Sequence, residues 1–379
     1  MRQRMLRSAA AIAALYFING VLTASLGPRL PEIADNLGIG LGTLGLALAG
    51  QVVGLVAMMP LAARLVHRYG ARAVGGASAV LYAVAIAAVG FAQGAPIMFA
   101  ALLLAGAANA PLDVAAPTLG KGLQDARAGR KTLSGLELFF VIGLLLGSAV
   151  GAAAAGHFTV EQHLVAVAVV CSGLGILAAW LLPATGHRVE MAPEGMIRTI
   201  RRRPAIRALA LIALAGLWCE AVGLDWAALF STEVLDAPAS QQGIVGVAFL
   251  AGILVALVIG GPLADRVGSV PVVRWGGVLI AIGMTVVVVS PSVPVASVGF
   301  LLAGLGLANV HPLALGAAGN GPMPGAAFAA VNAISYVGLF AERPGIGLIA
   351  DATSLQVAFA TVVVVGVLLA LSAHLVSDR

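Results

Sequence analysis

Apolar stretches of membrane-spanning length follow one another along the whole of this 379-residue sequence. A helix needs roughly 20 apolar residues to cross a hydrocarbon core about 30 Å thick. That measure gives twelve predicted spans: residues 9–33, 42–65, 73–92, 96–120, 132–155, 161–182, 206–231, 242–263, 272–290, 295–318, 325–349 and 355–376. Each is continuously apolar, which disfavours barrel strands, whose polarity alternates over about ten residues. A helix also satisfies its own backbone inside lipid. Composition agrees: 60% of the residues are hydrophobic, 10% are charged, and the mean hydropathy is +1.04. Soluble chains carry about a quarter of their residues as charges, so a water-soluble fold is excluded. The 48 glycines and 5% aromatics suit helices packed closely in a bilayer.

The basic residues fix an expected orientation. With the N-terminus inside, nineteen of the 21 fall in cytoplasmic segments, among them Arg68, Arg72 and Arg266. The other two, Arg29 and Arg343, lie within predicted spans, so none is left for an outer loop. A miscounted helix would invert every later loop and destroy this pattern. The sequence therefore predicts a multi-pass protein of the cytoplasmic membrane with both termini inside. The net charge of +5 reflects that topology, and no nucleic-acid partner is expected. The basic head and apolar run at the start resemble a signal peptide, but the run continues to about Leu26 and is expected to be the first span. Cys171 and Cys219 fall inside apolar runs and are expected to be packing residues.

The longest polar stretch separates six spans from six. It gives an expected organisation of an N-terminal bundle over 1–183, a basic linker over 184–205 and a C-terminal bundle over 206–379. The arginine-rich linker is expected to lie on anionic headgroups. The two halves also repeat. At a shift of 198 residues, Ala63, His67, Arg68, Gly70 and Arg72 correspond to Gly261, Asp265, Arg266, Gly268 and Val270. At the same shift Ala105-Gly106 and Asp113 correspond to Ala303-Gly304 and His311. Two six-helix halves in parallel repeat are a signature of transporters that rock around a site near the bilayer midplane.

These residues carry a resemblance. The stretch Gly260-Gly261-Pro262-Leu263-Ala264-Asp265-Arg266-Val267-Gly268 resembles the loop motif of the major facilitator superfamily, and it lies between the eighth and ninth spans, where that family places it. In the first half Ala63 and His67 replace the motif's Gly and Asp. The resemblance implies that Asp265, Arg266, Arg68 and Arg72 latch neighbouring helix ends on the cytoplasmic side, with His67 weakening the first-half latch. More narrowly, Asp113-Val114-Ala115, Glu220 with Asp225-Trp226, and Gly304-Leu305-Gly306-Leu307-Ala308-Asn309 with Pro312 resemble the fucose-permease-like branch. The implied fold is all-α: twelve transmembrane helices in two pseudo-symmetric six-helix bundles.

Ionisable groups inside spans cost roughly 2.5–3.5 kcal/mol each on insertion scales, which makes each a functional candidate. Glu220, near the middle of the seventh span, is the first choice for a proton carrier. Burial disfavours its charged form, so a change of access can load and unload a proton. The alternative is a neutral acid hydrogen-bonded across helices. Asp113 and Glu137 are the other proton-coupling candidates. Asp113 and His311 occupy equivalent positions in the fourth and tenth spans and could face each other as a relay or, preferably, a gate. Asn19, Asn109, Asn309 and Asn332 add amides at similar depth and complete a candidate substrate cavity with Asp113, Glu220 and His311. Such a set suits the hydroxyls of a sugar-like solute, although interhelical bonding is the better expectation for any single Asn. Arg343, beside Glu342, is expected to meet Asp225 or Glu220 as an outer gate, or to contact an anionic substrate. Arg29 with Glu32 reads as an interfacial feature. Gly143, Gly147 and Gly151, four residues apart, should admit a neighbouring helix closely; they also loosely resemble the antiporter motif of drug exporters, with Ser148 in place of its Pro.

The functional expectation is a secondary active transporter moving a small polar solute, with protons, by alternating access. The alternative is a proton-driven exporter of a metabolite, drug or antibiotic. An enzyme is disfavoured because the sequence lacks zinc-type His-Glu spacing, a Gly-x-Ser-x-Gly turn and a phosphate-cradling loop. No cofactor or metal is expected, the expected partners are a small solute, protons and the lipid bilayer, and the chain is expected to be a monomer.

Overall fold

The computed structural model describes residues 2–126, 133–182, 200, 202–319 and 324–376, and these hold helices and no strand. The chain divides into two compact units, Met1–Val189 and Glu190–Arg379. Most of the predicted linker, residues 184–199 and 201, lies outside the described residues.

The first unit comprises α1 (Arg2–Ala24), a 3-10 turn (Gly27–Arg29), α2 (Leu30–Leu37), α3 (Leu41–Tyr69), α4 (Ala71–Val89), α5 (Ala95–Ala126), α6 (Leu133–Ala154) and α7 (Val160–Leu181). The second comprises α8 (Pro204–Asp225), α9 (Ala227–Glu233), α10 (Ile244–Val267), α11 (Ser269–Val288), α12 (Val293–Leu307), α13 (Val310–Gly319), α14 (Pro324–Ala352), α15 (Leu355–Ser372) and a closing 3-10 turn (Ala373–Val376). Prolines inside α3, α5, α10 and α14 do not end those helices. Neighbouring helices can re-satisfy the backbone groups that a membrane-embedded proline releases.

Among the described residues, eleven segments are long and apolar enough to cross a membrane. The twelfth predicted span, 325–349, is present as the 29-residue helix α14. Its Asn332, Ser335, Tyr336, Glu342 and Arg343 make it more polar than the others. Three spans read as continuous are interrupted. The first breaks between Ala24 and Gly27, the seventh at Trp226, and the tenth between Leu307 and Val310. The first two breaks are related by the 198-residue shift, which sets Gly27 against Asp225. Large apolar side chains stand exposed, including Trp180, Val169, Leu211, Trp275 and Leu371. Patches of this kind need an apolar medium.

Glycine contacts show the repeat most directly. Where α3 and α5 pack, Gly54 lies against the Leu103 carbonyl and Gly106 against the Gln51 carbonyl. Where α10 and α12 pack, Gly252 lies against the Leu301 carbonyl and Gly304 against the Phe249 carbonyl. All four residues of the first set map onto the second at a shift of 198. The loop glycines Gly70 and Gly268, equivalent at that shift, both adopt positive φ, 84° and 86°. The Gly143 and Gly147 series seats α6 on the Phe17 and Val21 carbonyls of α1, the close approach its spacing predicted. In the second unit Phe230, Phe249, Phe300 and Phe359 form an aromatic core with ring centroids 4.9–6.3 Å apart. Both cysteines are buried and unpaired.

Candidate functional site

In the first unit the sequence-predicted residues converge on Asp113. Its position on α5 brings it beside α1, and Asn19 donates an amide N–H to its Oδ1 at 2.6 Å. Asn109, one turn earlier on α5, reaches Oδ2 at 3.4 Å. Both asparagines are buried at 7% exposure, and the Oδ1 of each has no partner. A buried amide with an unmatched carbonyl is costly unless something donates to it. Tyr16, one turn before Asn19, lies within electrostatic range of Asp113 and Glu137, while Glu137 itself is exposed on α6. The cluster is rich in acceptors: a carboxylate and two orphaned amide oxygens.

A second layer escaped the sequence reading. Tyr82, fully buried in α4, receives an amide N–H from Gln51 of α3 at 3.1 Å and pairs with the Thr23 hydroxyl of α1 at 3.2 Å. The available signal was an amide and a phenol in the middle of otherwise apolar runs. Gln51 is equivalent to Phe249, so the first unit carries a polar group where the second carries part of its aromatic core. Arg29 is drawn into the protein interior. It is fully buried, bonded to Glu32 and to the Phe158 carbonyl, with Nε and Nη1 unpartnered. By the C-terminal ends of α2 and α4 and the N-terminal end of α7 lies a cavity of about 630 Å³, lined by Glu32, Asn36, Gln93, Thr159 and Glu161 among others.

In the second unit, Arg343 of α14 donates through Nε to Asp225 Oδ2 at 2.8 Å, one of the two pairings its position allowed. Glu342 is wholly buried beside them. Glu220 is half-buried on α8 and has no hydrogen bond or ion pair among the described residues. Gly216, one turn before it, packs on Val310 and on the backbone of His311. His311 is half-buried with Nε2 unpartnered. Asn309 packs onto Gly260 and donates to the Ala256 carbonyl at 3.1 Å, which makes it an interhelical tie. Asn332 is half-buried.

Of the loop residues, Arg72 caps the last turn of α7 by donating to the Ala179 carbonyl at 2.6 Å, where a cation suits the helix dipole. Arg68 stacks over Tyr69 with 5.3 Å to the ring centroid. Asp265 and Arg266 are exposed and form no ion pair among the described residues. No group of three or more His, Cys, Asp or Glu among the described residues could hold a metal ion.

Comparison with known proteins agrees with this architecture. Residues 12–234 match the family model of the Major Facilitator Superfamily. The chain is 28% identical over 360 residues to the uncharacterized transporter y4wD of Sinorhizobium fredii, covering 94% of this chain and 95% of that one. Among solved structures it resembles a point mutant of the nucleoside transporter NupG, with a TM-score of 0.80 at 13% identity, over 97% of this chain and 99% of that one. It also resembles a D-xylose-proton symporter, with a TM-score of 0.77 at 16% identity, over 97% and 96% of the two chains.

Proposed function

Since the chain belongs to the Major Facilitator Superfamily and is a multi-pass membrane transporter, we propose that it moves a small, hydroxyl-rich solute across the cytoplasmic membrane by alternating access coupled to protons. The observation that carries this reading is the Asp113 cluster. A half-buried acid is gripped by two buried amides whose remaining oxygens are unpartnered. Such a cluster is rich in unmatched acceptors, so it favours a ligand that donates several hydrogen bonds. Sugars and nucleosides are such ligands, and the D-xylose-proton symporter and the nucleoside transporter share this fold. An acid inside the bilayer also serves proton coupling, because it changes protonation more readily than charge can cross lipid. Asp113 and Glu220 are the proton sites in this reading, while Asp265, Arg266, Arg68 and Arg72 act at the cytoplasmic gate. Within the superfamily, the resemblance of the patches around Asp113, Asp225 and Asn309 supports a reading as a member of the fucose-permease-like branch. Both termini face the cytoplasm, and the chain works as a monomer.

Purified protein in liposomes, with an imposed pH gradient and a panel of pentoses, hexoses, nucleosides and amphipathic drugs, tests this. The expected result is counterflow of a polyhydroxylated solute and its accumulation with the proton gradient. Counterflow restricted to drugs would replace it with the exporter reading, and counterflow indifferent to pH would leave a facilitator.

A further inference from the structure

The first unit holds a recess that the transport reading does not use. It encloses about 630 Å³ by the C-terminal ends of α2 and α4 and the N-terminal end of α7, at the opposite end of α4 from the Gly70 loop. Recesses of about 300–1,000 Å³ are the usual size for small organic ligands. None of Asn19, Asn109 and Asp113 lines it.

Its wall divides by chemistry. Ile33, Leu37, Val89, Ala92 and Val160, buried or half-buried, make an apolar floor, while Glu32, Asn36, Gln93, Thr159 and Glu161, half-buried or exposed, make a polar rim. Both charges on that rim are negative, and no Lys, Arg or His is among the described residues that line it. Glu32 is held in place from behind. Arg29, fully buried, bonds its Oε2 and also the carbonyl of Phe158, next to Thr159, which ties α2 to the α6–α7 connection. Glu161 stands in the first turn of α7 behind the Thr159 cap, where the helix dipole suits a carboxylate. Thr159 hydrogen-bonds to it and the Arg29 charge reaches it, but the guanidinium's contact is with Glu32. Glu161 itself forms no ion pair among the described residues.

One arginine therefore faces two acids, and the surplus negative charge borders an apolar floor. That combination is complementary to an organic ammonium ion: the rim oxygens accept from its N–H groups and the floor takes its hydrocarbon. A metal ion matches less well, since no group of three or more His, Cys, Asp or Glu among the described residues could hold one. We propose that this recess is a binding site for a small amphipathic organic cation, separate from the Asp113 cluster, with its ammonium group against Glu32 and Glu161 and its apolar body over Val89 and Ala92. Because Arg29 fixes Glu32 in advance, little ordering is left for the ligand to impose. The assignment holds whatever solute the protein carries.

Calorimetric titration of benzylammonium into the purified full-length protein, in nanodiscs of zwitterionic lipid with empty discs subtracted, tests it. The expected result is saturable binding at one site per chain, with benzyl alcohol, of the same shape and no charge, about tenfold weaker or more. Glu161→Gln should weaken benzylammonium by about the same factor, and Ala92→Trp, which fills the floor, should abolish its binding. Absence of saturable binding overturns the site, equal binding of benzyl alcohol overturns the charge assignment, and wild-type affinity in either variant overturns the placement. Should Ala92→Trp fail to fold, Gln93→Lys sets a competing cation on the exposed rim and is expected to weaken binding about tenfold; unchanged affinity there overturns the proposal as well. The readout is binding without transport, so this assignment can fail while the transport reading stands, and the reverse.

Discussion

Asn19 and Asp113, 94 residues apart in sequence, meet at 2.6 Å through the packing of α1 against α5. The bond holds the carboxylate in place and orients the Asn19 carbonyl as a free acceptor. A hydrogen bond to a charged group contributes about 1.5–3 kcal/mol, and about 1.4 kcal/mol is a tenfold change in affinity. Asn19→Ala and Asp113→Asn are each expected to weaken uptake at least tenfold in reconstituted liposomes. Asn109→Ala, which removes the 3.4 Å bond, should cost less than either.

Glu220 has no bond to lose, so Glu220→Gln should leave thermal stability in detergent nearly unchanged. Its effect is expected in energetics: accumulation against a gradient fails while counterflow persists. Accumulation that still follows the pH gradient would remove Glu220 from the coupling mechanism.

The pair formed by Arg343 and Asp225 lends itself to a double-mutant cycle. Removing one partner of a buried ion pair strands the other charge, at a cost of about 3–5 kcal/mol. Arg343→Gln is expected to lower stability by that order, and adding Asp225→Asn should recover part of it. A double variant as unstable as the sum of the two singles would show that the pair does not couple.

Glycine substitutions should separate contact from propensity. A Cβ at Gly106 or Gly304 would enter the facing carbonyl, whereas one at Gly173 meets nothing within 4 Å. Gly106→Ala and Gly304→Ala are expected to cost about 1–3 kcal/mol or more, the usual range for overpacking. Gly173→Ala, inside α7, should be neutral or slightly stabilising. Thermal unfolding of the three variants reads the difference.

Orientation can be checked by labelling. Cys171 and Cys219 are 2% and 1% exposed, so an impermeant maleimide should react only with an introduced thiol. Arg198→Cys is expected to label in inverted vesicles and not in intact cells. Labelling from outside would reverse the topology.

The architecture was legible because lipid imposes a coarse, additive rule: long apolar runs. The repeat was legible because the 198-residue shift survives in residues that packing constrains, such as Gly106 with Gly304 and Gly70 with Gly268. Partner choice was less legible. Nothing local to Asp113 selects Asn19 as its partner; the packing of α1 against α5 brings the two together. Arg343 had two acids as candidates in the sequence, and the packing of α14 on α8 brings it to Asp225. Asn309 read as a cavity amide and as a tie alike, and only the missing Cβ at Gly260 makes room for the tie. The burial of Arg29 was not legible either: the 3-10 turn after Leu26 places it inside the protein.

The carbonyl-seated glycines bear on motion. Two rods whose main chains touch at successive turns are keyed together, since any small slide drives a methylene or an oxygen into the opposing groove. The α3 with α5 and α10 with α12 couples must therefore travel as rigid beams, and whatever flexing accompanies a transport cycle is left to the interrupted rods, at Ser25, Trp226 and Ala308.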